Sequence, residues 1–202
     1  EDGYENQTLH GRLAYALSER WRLDLVHREV DGSNDYDGCF GSLGPTGDCS
    51  SDYGMQASRL GLEFLSEGFS HELSYTRTRT ERQDFTASVP TFGSQGEQVR
   101  GEYIGSATTL DGVDLIWGFD YQKDVANSMG RKNQGAFVEL LSDFSQAFFL
   151  TAGLRYDDNE DFGANTSFRL STAFLLETKA GTLKFKAAPV SYTHLTLPTI
   201  IT

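Results

Sequence analysis

The sequence predicts an all-β fold: a fragment of a transmembrane antiparallel β-barrel, about ten strands running up and down. Three observations carry this. Apolar and polar residues alternate with period two in runs of about ten residues, long enough to cross a bilayer when tilted and longer than the five or six usual in soluble sheets. The connections also alternate, short at 18–20, 66–68, 111–112, 142–145 and 177–181 and long at 31–52, 85–96, 124–132 and 158–166. Bacterial outer-membrane barrels keep short turns at one end and long loops at the other. Finally, only 38% of the 202 residues are hydrophobic, yet the chain holds 21 Gly, 14 Phe and 9 Tyr. A wall that turns alternate residues to lipid has such a composition, and no apolar run nears the roughly 20 residues of a spanning helix.

The first strand, about 7–17, sets Leu9, Gly11, Leu13, Tyr15 and Leu17 on one face against Thr8, His10, Arg12, Ala14 and Ala16. The second opens with Trp21, Leu23 and Leu25 against Arg22, Asp24 and Val26, and runs out into the loop 31–52. The third, near 55–65, sets Leu60, Leu62 and Phe64 against Arg59, Gly61 and Glu63. Phe69, His71, Leu73 and Tyr75 begin a fourth that fades into the polar run 76–84. A fifth, near 99–110, has a thin apolar face of Gly101, Tyr103, Gly105 and Ala107. Asp111-Gly112 is a strong hairpin signal, and past it Val113, Leu115, Trp117, Phe119 and Tyr121 alternate most cleanly of all. A seventh strand spans 134–141. The eighth and ninth form a hairpin, Phe148, Leu150, Ala152, Leu154 and Tyr156 answered by Phe168, Leu170, Thr172, Phe174 and Leu176; the tenth is 182–187.

Trp21, Phe69 and Phe144 beside the short turns, with Tyr121 and Tyr156 toward the long loops, suit two interfacial aromatic girdles. The opposite face carries Arg12, Arg59, Glu63, Arg100, Glu102, Glu139 and Arg155, expected to form a polar, ion-paired inner wall. A net charge of −12 argues against nucleic acid, which demands a Lys/Arg patch. The histidines show no metal-ligand spacing, and no nucleophile–base motif or phosphate-cradling loop occurs, so no catalytic residue is assigned. Cys39 and Cys49, in one Gly/Ser/Asp-rich loop, suit a disulfide of an oxidising compartment. In the same loop Asp31, Asn34, Asp35 and Asp37 gather hard oxygen ligands of the kind calcium takes. The alternative for that loop is a solvated acidic segment.

Thr151-Ala152-Gly153-Leu154-Arg155-Tyr156-Asp157-Asp158, then Phe168-Arg169-Leu170, then Thr182-Leu183-Lys184-Phe185-Lys186-Ala187 resemble the barrel of TonB-dependent outer-membrane receptors, most closely the vitamin B12 (cobalamin) type. The resemblance implies that residues 1–188 are part of such a barrel in the outer membrane of a Gram-negative bacterium. The lipid of that membrane, a cobalamin or siderophore-type ligand and a TonB complex are then its partners, the last through a plug domain absent from this chain. It implies a transporter rather than an enzyme, with no required cofactor; calcium is possible, since cobalamin receptors bind it in acidic outer loops. Alternatives are a complete ten-stranded outer-membrane enzyme of omptin type, a passive porin, and a soluble β-protein. Residues 189–202 break the alternation. The run 190–199 back-translates onto a transposon-type sequencing adapter, so this tail is expected not to be native.

Overall fold

Strand alternation in the sequence becomes strand in the computed structural model, which describes residues 3–41, 44–110, 112–144, 146–178 and 181–191. The strands are β1 (Tyr4–Ala16), β2 (Trp21–Tyr36), β3 (Cys39–Gly41), β4 (Gly44–Thr46), β5 (Cys49–Ser66), β6 (Phe69–Thr86) and β7 (Val89–Leu110). They continue with β8 (Val113–Ala126), β9 (Met129–Phe144), β10 (Phe148–Asn159), β11 (Gly163–Thr178), β12 (Gly181–Ala187) and β13 (Val190–Ser191). The main sheet runs in the order β1-β2-β5-β6-β7-β8-β9-β10-β11-β12, an up-and-down path of ten strands, with β13 also paired to β11. β3 and β4 form a separate two-stranded hairpin.

The strands are longer than the alternation suggested, and this corrects the expected loops. β6 runs to Thr86 and β7 starts at Val89, so 85–96 is a hairpin tip closed by Ala87 and Ser88, both in the left-handed region at φ 49° and 62°. Likewise 124–132 closes at Asn127 and Ser128, φ 47° and 73°. Two consecutive positive-φ residues match the twist of the flanking strands, as in a type I′ turn. Within 158–166, β10 ends at Asn159 and β11 begins at Gly163. The break 31–52 shrinks too, since β2 continues to Tyr36, β5 opens at Cys49, and β3–β4 fill the gap. These extensions are mostly polar, and the few apolar residues in them, Phe85, Val89, Phe92 and Met129, do not alternate, so hydrophobic periodicity had nothing to report there.

The chain divides into two units: 1–62 with 74–101 and 122–131, and 63–73 with 102–121 and 132–202. In the first, Leu13 stands opposite Leu25 and Tyr15 opposite Leu23, while farther along the same face Leu9 meets Glu29, Gln7 meets Asp31 and Glu5 meets Ser33. One face thus turns from apolar to polar along its length. On the other face Asp24 receives Arg12 at 2.8 Å and Arg59 at 3.5 Å.

In the second unit the register aligns Val138, Leu154 and Phe168 in one row and Leu140, Ala152 and Leu170 in the next. Phe144, Phe148 and Phe174 close this apolar band at one end and Tyr156 stands at the other. From Tyr156 to Phe148 the strand rises about 26 Å. With the tilt of a barrel strand that is roughly 20 Å of height, close to the apolar band of an outer-membrane wall. The reverse face carries Arg155, bonded to Asp157 at 2.7 Å and Asp120 at 2.9 Å, with its guanidinium 6.0 Å from the Phe137 ring. Gly135 leaves the space that guanidinium fills, since a Cβ there would collide with it. Arg169 reaches Glu139 at 3.9 Å.

Among the described residues only Val30, Cys49 and Ala107 are buried apolar side chains, whereas Leu9, Leu13, Phe119, Leu154 and Phe168 stand more than half exposed. A soluble sheet hides its apolar face under a second layer. In this chain the ordered apolar rows need an apolar phase supplied from outside.

Candidate ligand-contact surface

The strand extensions of the first unit build a polar concavity of about 1280 Å³. β1 contributes Glu5 and Gln7, β2 Asp31 and Ser33, β5 Asp52, β6 Arg79, Glu81 and Gln83, β7 Gln95 and Glu97, β8 Val125, and the β8–β9 turn Asn127. Along each strand these positions alternate, so most share one face. The turn at 127–128 is tied in from both sides: Asn127 N–H donates to the Gln95 carbonyl at 3.0 Å, and Gln95 N–H donates to Asn127 Oδ1 at 2.9 Å.

Behind this surface the opposite face is braced by side-chain bonds across strands. The Tyr53 hydroxyl accepts from Asn6 Nδ2 at 2.8 Å and lies 3.1 Å from the Tyr4 hydroxyl. Its ring occupies the place a Cβ on Gly32 would take, so glycine at position 32 is what lets the ring lie flat on β2. Asp84 accepts from Arg82 Nε at 2.8 Å and from Ser51 Oγ at 2.7 Å. The hydrogen bond from Arg82 and then that from Ser51 hold its carboxyl below the usual carboxylate range. Gln98 and Gln122 donate to Asp124 in the same way, at 2.9 and 3.0 Å.

The tip of the β2–β5 hairpin is clamped. Cys39 and Cys49 are joined by a disulfide with Cα atoms 6.1 Å apart. The small β3–β4 hairpin it encloses presents Phe40, 77% exposed, opposite Pro45. Ala87 N–H donates to the Asp48 carbonyl at 2.8 Å, tying this tip to the β6–β7 turn. Of the residues proposed as calcium ligands, Asp31 lines the polar surface, Asn34 stands opposite Tyr4, Asp35 lies against Gly3, and Asp37 lies against Gly47. Asp31, Asn34 and Asp35 are spread along the end of β2, and Asp37 lies just past it. Among the described residues no three Asp, Glu, His or Cys side chains converge as a metal site.

Sequence reasoning named Arg12, Arg59, Glu139 and Arg155 on the ion-paired face, and the structure pairs all four there. It missed the acids Asp24, Asp120 and Asp157 as their partners, because which strands pair, and in what register, decides that. It also missed the polar surface, whose members come from six strands and share no local spacing.

No family model matches the chain. Over 181 residues it is 21% identical to the vitamin B12 transporter BtuB of Photobacterium profundum, covering 86% of this chain and 29% of that protein. With the vitamin B12 transporter BtuB of Vibrio cholerae it shares 22% identity over 79% of the chain and 27% of the relative. Among solved structures it superposes on the siderophore receptor PirA of Pseudomonas aeruginosa with a TM-score of 0.72 at 17% identity, over 87% of this chain and 31% of that one. A variant of the ferric enterobactin receptor PfeA of Pseudomonas aeruginosa gives a TM-score of 0.76 at 14% identity, over 93% of this chain and 33% of that one.

The fold is that of the TonB-dependent receptor barrel. The chain spans about three tenths of the length of the curated relatives it matches. Within a TonB-dependent barrel, the apolar rows fall where a wall meets lipid and the ion-paired face where it meets the lumen.

Proposed function

We propose that this chain is part of the wall of a TonB-dependent outer-membrane receptor that imports a scarce nutrient, cobalamin first and a siderophore next. The observation that carries the reading is the similarity to vitamin B12 transporters along 86% of the chain, joined to the receptor-barrel fold. Cobalamin ranks above siderophores because the sequence relatives are B12 transporters, whereas the siderophore receptors share the fold at lower identity. The work is binding and gated passage, with energy delivered by a TonB complex. In this reading the clamped tip, beyond the apolar rows, is the part of the wall nearest to arriving cargo. Calcium held by Asp31, Asn34, Asp35 and Asp37 stays a proposal made from the sequence of this acidic segment.

Uptake measurements test it. Cells lacking the gene should lose high-affinity uptake of labelled cyanocobalamin while keeping ferric siderophore uptake, and loss of TonB should abolish the cyanocobalamin uptake as well. Siderophore uptake lost with cobalamin uptake intact would reassign the cargo. Both intact would end the transport reading.

A further inference from the structure

On the first unit, the face that carries Arg12, Asp24 and Arg59 continues toward the clamped tip as a hydrogen-bonding surface with a guanidinium in it. Tyr4 and Asn6 share the even positions of β1 with Arg12, and Asn6 stands opposite Gly32 on β2. The Tyr53 ring of β5 lies across Gly32, and its hydroxyl meets Asn6 Nδ2 at 2.8 Å and the Tyr4 hydroxyl at 3.1 Å. A two-residue turn joins β5 at Ser66 to β6 at Phe69. The antiparallel ladder therefore sets Ser51 opposite Asp84, where the side chains bond at 2.7 Å, and Tyr53 opposite Arg82. Asn6, Gly32, Tyr53 and Arg82 thus form one row across four strands, with Tyr4 beside it.

We infer that this row is a specificity contact for the nucleotide arm of the cargo, in which Arg82 takes the phosphodiester while Tyr4, Asn6 and Tyr53 take the ribose and the amides beside it. The inference rests on the cobalamin reading above and deepens it. Cobalamin carries one phosphodiester, a ribose and a rim of carboxamides, so it presents a single negative charge among neutral groups that both donate and accept. The row is its complement. Asp84 holds Arg82 Nε at 2.8 Å and so fixes the plane of the guanidinium. The terminal N–H groups of Arg82 meet no protein acceptor among the described residues, and 54% of its side chain is open to solvent. That leaves a pre-set fork for two oxygens of a phosphodiester. Tyr4, 68% exposed, and the half-buried Tyr53 add rings that lose little freedom on contact and hydroxyls that donate or accept. A ferric siderophore carrying several negative charges would need several uncompensated cations, and the only cation in this row is already shared with Asp84. Inorganic phosphate would find the guanidinium and leave the tyrosines and the amide unused.

The test takes the whole polypeptide carrying this chain, in detergent, and measures equilibrium binding of two corrinoids. Cyanocobalamin has the nucleotide arm; dicyanocobinamide keeps the corrin ring and its carboxamides but lacks the phosphodiester, ribose and base. The wild type should bind cyanocobalamin on the order of tenfold more tightly than dicyanocobinamide, the scale of a charge-assisted hydrogen-bond pair. Arg82→Gln should lower cyanocobalamin affinity by about the same factor and leave dicyanocobinamide affinity within roughly twofold, so that the preference disappears. A guanidinium that served only to brace the fold would move both affinities together. Equal affinity of the wild type for the two corrinoids, an unchanged preference in Arg82→Gln, or an equal loss of both ligands in that variant would overturn the inference and spare the cobalamin reading. No binding of either corrinoid by the wild type sinks both.

Discussion

Asp84 shows how single residues stiffen the polar end of the first unit. Its depressed carboxyl, held by Arg82 and then Ser51, contributes stability that is present above the ordinary carboxylate range and is lost as pH falls through its lower folded value. The β6–β7 tip should therefore exchange its amide protons faster once the medium is acidified below that range. Asp84→Asn should exchange fast at neutral pH already and show little further change on acidification. A tip with the same exchange at both pH values would mean that the Asp84 carboxylate does not brace it. The arginines of the ion-paired face could be read from the sequence because they alternate with leucines. Their acid partners could not, since Asp24 and Asp120 are chosen by pairing between strands rather than by neighbours in the chain.

Strands and turns hold most of the difference between expectation and structure. Strand centres are legible wherever one face is apolar, as in 113–121 or 148–156. The ends of β2, β6 and β7 are not, because both of their faces are wet and only the backbone ladder continues. Ala87-Ser88 closes a tight turn without glycine, which the usual hairpin signals pass over. Left-handed backbone costs a non-glycine residue roughly 1 kcal/mol, so Ser88→Gly should raise the stability of the refolded protein by up to about that amount and Ser88→Val should lower it, as read from unfolding in denaturant. The disulfide tip invites a parallel experiment. A bridge across so short a span removes chain freedom worth about 3 kcal/mol in the entropic view. Cys39→Ser with Cys49→Ser should loosen residues 37–48 in hydrogen exchange while the strands below keep their protection, and two free thiols in protein taken from the membrane would remove the clamp.

At the scale of the whole molecule, everything turns on which face meets lipid. Resemblance and periodicity both pointed to a receptor barrel, because alternation over long strands survives even at about 21% identity. The polar concavity did not show in the sequence, since its six strands come together only through the register. If the rows of Val138, Leu154 and Phe168 lie in the bilayer, Leu154→Arg should destabilise the inserted protein by about 2–4 kcal/mol, whereas Asp158→Arg, past the band, should cost about 1 kcal/mol or less. The most direct measurement places an environment-sensitive fluorophore, one position at a time from 150 to 156, on the whole polypeptide in vesicles that contain a lipid-borne quencher. A lipid-facing row predicts quenching of period two, strong at Leu150, Ala152 and Leu154 and weak at Thr151, Gly153 and Arg155. Uniform quenching, or strong quenching at Gly153 and Arg155 instead, would contradict it.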